Sequence, residues 1–192
     1  MDAARQLFVE RGYGATTVEA IGKAAGVPVA TVYRLFSSMV GILKALLDAS
    51  IAGDDDEVPV AARPHVRDLL EDSDVRRQLH GFVLLAADIN GRTAPVYGVL
   101  VTAAGSDPEA ATLLEHLTSQ RQEGQRLIAR AVARAGRLRA DLRERDAADI
   151  IHALLSPELY RLLVGDRRWA VDRYEWWLSD TIAAQLLGPP PG

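Results

Sequence analysis

The sequence predicts an all-α protein in two domains, and three observations carry that expectation. Apolar residues recur at three- and four-residue steps through most of the chain, and no stretch alternates apolar with polar as a half-buried strand does. Residues 16–38, TTVEAIGKAAGVPVATVYRLFSS, read as two short helices meeting at Gly26. Asp54, Asp55, Asp56 and Glu57, followed by Pro59 and Pro64, then interrupt the periodicity. They set a boundary between a small domain over 1–50 and a larger one over 51–192.

In the first domain, Thr16 is placed to cap the first of the two short helices, with Glu19 three residues on returning a bond to its backbone. Val18, Ile21, Ala24 and Ala25 form a narrow apolar face, and the small Ala24 and Ala25 admit a close second helix before Gly26 makes the sharp turn. Val32, Leu35 and Phe36 anchor that second helix. Its other face carries Val29, Ala30, Thr31, Tyr33 and Arg34, residues that a soluble core does not require there. They are candidate DNA contacts.

Beyond the boundary the spacing predicts helices near 65–72, 74–90, 93–104, 107–135, 144–165 and 168–187. Asp107-Pro108-Glu109 is a start signal: a cap, a proline in the first turn and an acid at the positive end of the helix dipole. Gly136, Gly165 and Gly188 are stops, the last followed by Pro189, Pro190 and Pro191. The acidic run is read as a solvated linker rather than a cation site, because it has no ligand loop and follows a helix C-terminus, which disfavours negative charge.

Composition narrows the function classes. The 192 residues contain no cysteine, which excludes disulfides and thiolate metal sites and points to a reducing, cytoplasmic compartment. The longest apolar run, Phe82 to Ala87, is far short of the roughly 20 residues that span a bilayer, and no signal-peptide apolar region opens the chain, so no membrane partner is expected. No nucleophile elbow, phosphate-cradling lysine loop or zinc-spaced histidine pair is present, and His65, His80, His116 and His152 stand far apart. The Gly12-Tyr13-Gly14 turn follows a helix and lacks a third glycine, so it is not read as a phosphate loop. The expectation is a non-enzyme with no cofactor and no metal.

Charge is less basic than a DNA-binding domain usually shows. Residues 1–50 hold five Lys/Arg against four Asp/Glu, +1, which leaves −5 in the remainder of a chain whose total is −4. The arginine row from Arg121 to Arg145 reads as a solvated face, since Glu144, Asp146 and Asp149 lie close enough to neutralise part of it.

From Ala4 to Leu47 the sequence resembles the TetR/AcrR-type one-component transcriptional regulators. Ala4, Leu7, Phe8, Gly12, Tyr13, Thr16, Thr17, Val18, Ile21, Ala24, Ala25, Gly26, Val27, Thr31, Val32, Tyr33, Phe36, Ser38 and Leu43 fall on the family pattern at its own spacing. The resemblance implies a helix-turn-helix DNA-binding domain followed by a helical ligand-binding and dimerisation domain, in a homodimer that binds double-stranded operator DNA and a small-molecule effector, most often as a repressor. It puts Thr17, Thr31 and Tyr33 at backbone-contacting positions and Val29 and Ala30 where bases are touched; Arg34 is added from its charge. Two departures weaken the implied contacts. Met39 stands where the family usually has a phosphate-binding Lys, and the chain opens at Asp2 almost directly on the first helix, so either the true start lies upstream or the short basic arm is missing. The alternative function is a helical small-molecule-binding protein whose DNA-reading head has decayed.

An effector site is expected among the helices near 74–90, 93–104 and 107–135, lined by Phe82, Val83, Ala86, Tyr97, Leu117, Gln120 and Gly124. Gln120 is a polar group on an otherwise apolar stripe, Gly124 leaves room, and the rest supply an apolar and aromatic wall, which implies a largely apolar effector. The segment after Ser156-Pro157 resembles the penultimate helix of many family members, which implies dimerisation there. Leu155, Leu159 and Leu162 with Val171, Tyr174, Leu178 and Ile182 are the expected intersubunit seam.

Overall fold

The computed structural model of the protein describes residues 1–53 and 60–188. Among the described residues there is no β-strand, only an isolated antiparallel bridge between Leu138 and Leu187. The acidic run with Pro59, and the terminal prolines, lie outside the described residues.

Two compact units divide the chain. The first comprises Met1–Asp55 with Arg92–Thr118, and the second Asp56–Gly91 with Ser119–Gly192. The sequence boundary near residue 50 therefore accounts for the head alone, because a later segment of chain folds with it.

In the first unit, α1 (Asp2–Arg11), α2 (Val18–Ala25), α3 (Val29–Phe36) and α4 (Met39–Ala52) form the head. Ala4, Leu7 and Phe8 of α1, Val18 and Ile21 of α2, Val32 of α3 and Ile42, Leu43, Leu46 and Leu47 of α4 make its core. The cap of α2 is Thr17, not Thr16: Thr17 Oγ1 accepts from Ala20 N at 3.2 Å. Successive side chains of extended backbone point opposite ways. The Thr16 hydroxyl thus turns inward and donates to the Leu7 and Gly12 carbonyls at 3.2 and 2.8 Å.

The close helix approach also differs from expectation. Ala24 and Ala25 are exposed, and the buried stripe of α2 is Val18, Ile21 and Gly22. A Cβ on Gly22 would sit 2.8 Å from the Val27 carbonyl oxygen, so Gly22 is the residue that lets α3 approach. Leu35, expected as an anchor, is 62% exposed; Val29, Val32 and Phe36 hold α3 instead, at the three- and four-residue steps of one helical face. Ser38 caps α4 by accepting from Gly41 N at 3.1 Å. A Cβ on Gly41 would fall 1.8 Å from the Phe36 carbonyl oxygen, so the turn between α3 and α4 closes only over a glycine.

Next come α5 (Pro64–Glu71), α6 (Val75–Ala104) and α7 (Pro108–Arg134). Two helices were expected over 74–104, yet α6 is continuous through Pro95. Proline removes one helical hydrogen bond, but Ala94, Val96, Val99 and Leu100 are buried around it and hold the helix together. The portions of α6 and α7 within the first unit are tied to the head. Tyr13 donates to Asp107 Oδ2 at 2.6 Å, and Asp107 itself caps α7 by accepting from Glu109 N at 2.9 Å. Arg92 Nε donates to the Ser50 carbonyl at 2.8 Å, satisfying the C-terminus of α4, and Arg5 donates to Ser50 Oγ at 2.6 Å.

The second unit closes with α8 (Glu144–Leu154), α9 (Pro157–Tyr160), which runs into a wide π turn over Arg161–Asp166, and α10 (Val171–Leu186). One helix was expected over 144–165. It breaks where Ser156 caps a new start by accepting from Leu159 N at 3.1 Å and Pro157 takes the first turn. Tyr174, Leu178, Ile182 and Leu186 of α10 are fully buried with Ile151, and the rings of Tyr160 and Tyr174 meet edge to face at 5.2 Å.

Candidate functional sites

The first site is the surface of α2 and α3. Thr17, Ala30, Tyr33 and Arg34 are exposed and Thr31 is half-buried. Among the described residues the side chains of Tyr33 and Arg34 make no hydrogen bond or ion pair, which leaves an exposed phenol and guanidinium on one short helix. Val29 differs from the expectation of a base contact, since it packs partly on the head's own core. At the start of α2 the Thr17 cap occupies one amide of the first turn, and the dipole at such a helix end favours an anion. Exposed Lys23 on α2 adds a cation that sequence reading passed over, since its spacing is that of any solvated helix face. Met39 is half-buried and lines a shallow depression with Tyr13, Ser38, Asp107 and Glu109. A charge introduced at that position meets two carboxylates.

The second site is a cavity of about 220 Å³ within the second unit. Of the expected lining residues, Phe82, Ala86, Gln120 and Gly124 are there. Val83 is not, being fully buried in the core, and Tyr97 and Leu117 pack instead on the core of the first unit. Their place follows from helix length: both α6 and α7 extend beyond the second unit, so residues on one stripe end up in different cores.

Most of the wall is apolar, from Leu70, Leu85, Ile89, Leu127, Ile128 and Leu155 among others. The polar members are Asn90, Gln120, Arg121 and Gln125, three of which sequence reading missed. A Cβ on Gly124 would meet nothing within 4 Å, so that glycine opens onto space. Gln125 and Asn90 are each 5% exposed. Asn90 Nδ2 donates to the Leu155 carbonyl at 3.2 Å, and the Gln125 side-chain oxygen lies 2.6 Å from His152 Nδ1. His152 Nε2 in turn faces Arg121 Nη2 at 3.3 Å, and Arg121 Nη1 stands 3.7 Å from Glu158. Burial first, and then the Arg121 charge, hold the His152 pKa below its ordinary value, so the imidazole is neutral at pH 7. Among the described residues no three His, Asp or Glu side chains converge as a metal site, and no single helix is long and apolar enough to cross a membrane.

The expected seam between subunits is altered. Tyr174, Leu178 and Ile182 are buried inside their own chain and Leu155 lines the cavity, so none of the four is free to meet a partner. Leu159 is half-buried, while Leu162 and Val171 are exposed. The apolar surface of the last helices is offset from the expected stripe: Trp176 is 66% exposed, and Trp177 beside it also faces out. Helix α10 buries one complete face within its own unit, and only residues rotated from that face remain available.

Residues 1–46 match the family model for bacterial regulatory proteins of the tetR family. An uncharacterized HTH-type transcriptional regulator, YvkB of Bacillus subtilis, is 47% identical over 47 residues, which cover 24% of this chain and 25% of that one. The match thus spans about a quarter of the curated relative's length. Among solved structures, a transcriptional regulator from Saccharomonospora viridis in complex with choline aligns with a TM-score of 0.72 at 21% identity, covering 98% of this chain and 95% of that one. NalD, the secondary repressor of the MexAB-OprM multidrug efflux pump in Pseudomonas aeruginosa, aligns with a TM-score of 0.74 at 23% identity, covering 96% and 93%. At these identities the structural likeness shows a shared fold across nearly the whole chain.

Proposed function

We propose that this chain, a TetR-type regulator by the family match of its first 46 residues, is a homodimeric operator-binding protein released from DNA by a small, largely apolar effector bound in the second unit. The carrying observation is α3, which is fastened from one side by Val29, Val32 and Phe36 while Ala30, Tyr33 and Arg34 stand unpartnered on the other. A helix with no burial role for that face suits a DNA groove. Thr17, Thr31 and Tyr33 hold phosphates in this reading, Ala30 touches a thymine methyl, and Arg34 supplies the hydrogen-bonding cation. Two copies are needed because one such head buries too little surface for specificity, and a two-fold dimer spaces two reading helices about one DNA turn, ~34 Å, apart. Leu162, Val171, Trp176 and Trp177 are exposed apolar residues that support a subunit contact along the π turn and α10.

Regulators of this fold include one solved with choline, and here the cavity lined by Phe82, Ala86, Gln120 and Gly124 supports an effector site. An effector releases DNA only if it binds one state of the dimer better than the other.

The test combines operator binding with induction. Tyr33→Ala is expected to weaken operator and random DNA alike with little change in salt dependence, because a phenol carries no charge. Met39→Lys is expected to steepen the log–log salt slope, by less than about one unit per protomer because Asp107 and Glu109 share its depression. Gln120→Ala and Gly124→Leu are expected to reduce induction and leave operator affinity near wild type. Unchanged DNA binding in both head variants would favour the alternative, a ligand-binding protein without a working head; full induction in both cavity variants would move the effector elsewhere.

A further inference from the structure

The polar end of the cavity has a fixed sense, and it follows from one side chain. Arginine can only donate, so the His152 Nε2 facing Arg121 is an acceptor. A neutral imidazole then carries its proton on Nδ1, and Nδ1–H donates to Gln125. The Gln125 atom it meets must be the oxygen, which leaves the amide NH2 of Gln125 as the free end. That NH2 has no partner among the described residues, on a side chain that is 95% buried and lines the cavity. Leu155 fixes Asn90 in the same manner: its carbonyl can only accept, so Asn90 turns its Nδ2 there and leaves its Oδ1 free. Among the described residues, the polar side-chain atom of the lining that is both buried and without a hydrogen-bond partner is Arg121 Nη1; an N–H left so is costly, and an oxygen acceptor on a bound molecule supplies its partner.

We infer that the cavity is built for a molecule with a short apolar body and a carbonyl oxygen at one end, a carboxylate or carboxamide, and that it rejects cationic amphiphiles. The inference rests on the effector reading above and gives it a ligand class. Among the described residues of the lining Phe82 is the single aromatic, which makes no cage for an ammonium group, and the Arg121 guanidinium is the only charge. The carbonyl oxygen accepts from the Gln125 NH2. A carboxamide also donates to Asn90 Oδ1, while a carboxylate draws on the Arg121 charge. At about 220 Å³ the cavity lies below the roughly 300–1,000 Å³ of sites for drug-sized ligands, which limits the body to a short chain or a single small ring.

The test uses calorimetry on the DNA-free full chain with three probes of one length: octanamide, octanoate and octylammonium. At least one of the first two is expected to bind about tenfold or more tightly than octylammonium, a margin of one well-placed hydrogen bond. Gln125→Leu, with helicity checked by circular dichroism, is expected to remove that preference, and Gln125→Glu to reverse it in favour of octylammonium. The wild-type ranking alone decides the matter if either variant fails to fold. Octylammonium binding as tightly as the other two, or no binding by any probe, would overturn the inference. Gly124→Leu separates the two readings: octylammonium bound in wild type and blocked by Gly124→Leu keeps the cavity as the effector site while discarding the carbonyl preference. Loss of DNA binding leaves all these measurements untouched.

Discussion

Residues 1–50 and the cavity-bearing unit hold their polar side chains in different ways. In the head, hydroxyls close on backbone a few residues away: Thr17 on Ala20, Ser38 on Gly41, Thr16 on Gly12. Around the cavity and on α10 of the second unit several partners are distant, as Asn90 with Leu155 at 65 residues, His152 with Gln125 at 27 and His80 with Ser179 at 99. Local bonds form with the helix ends they cap and need little else. Distant ones exist only after chain closure, and a substitution at either partner changes what the cavity presents. The head is therefore geometrically fixed by short stretches of sequence, while the chemistry of the effector site is assembled from pieces.

The largest expected effect lies in the second unit. Leu178 is fully buried within its own chain. Leu178→Ala is expected to cost about 2–5 kcal/mol in urea unfolding, the range for emptying a core leucine site. Were this residue part of a seam between subunits, the loss would depend on protein concentration. A loss that is the same across a hundredfold range of concentration confirms its place inside one chain.

Gly41→Ala probes the head in return. The added methyl would collide with the Phe36 carbonyl oxygen, a backbone atom that moves only with the turn, and overpacking of this kind costs about 1–3 kcal/mol. Operator binding is expected to fall sharply, while octanamide or octanoate binding in the other unit stays near wild type. Equal loss of both functions would blur the contrast between the two regions.

The smallest effect concerns a tie of the first unit that is not local, Tyr13 with Asp107. The Tyr13 hydrogen bond holds the Asp107 carboxyl below its usual pKa, while burial and that same bond push the phenol's pKa up. A carboxylate with a depressed folded pKa contributes stability that is present above its unfolded value, near 4, and is lost as pH falls through the folded one. Tyr13→Phe is thus expected to lower the melting temperature at pH 7, with the gap to wild type closing below pH 4. A gap that persists unchanged into acid would assign the effect to packing against Phe8, whose ring stacks with Tyr13 at 6.1 Å.

This contrast also explains what the sequence revealed. Periodicity and punctuation exposed the helices, the Gly26 turn and the Asp107 cap, because each depends on neighbours in the chain. It misplaced the α2 cap by one residue, since Thr16 and Thr17 offer the same hydroxyl and only the inward turn of Thr16 tells them apart. Phe82, Ala86, Gln120 and Gly124 were legible as cavity residues because they share helical stripes. Asn90, Arg121 and Gln125 were not, since what marks them is a carbonyl and a histidine brought in from α8 and the residue after it. The stripe Tyr174, Leu178 and Ile182 was recognised as apolar, but periodicity cannot say whether a face is covered by its own chain or by another.

All three tryptophans of the chain, Trp169, Trp176 and Trp177, stand in or just before α10, and the head has none. Trp169 and Trp177 meet edge to face at 5.6 Å, Arg173 lies over the Trp169 ring at 3.9 Å, and Trp176 stacks on His80 at 5.4 Å. The intrinsic indole emission of this protein is consequently a report from the second unit alone. The reading unit has no indole of its own, so a change in emission on adding operator DNA would be a label-free optical signal from the surroundings of the last helix.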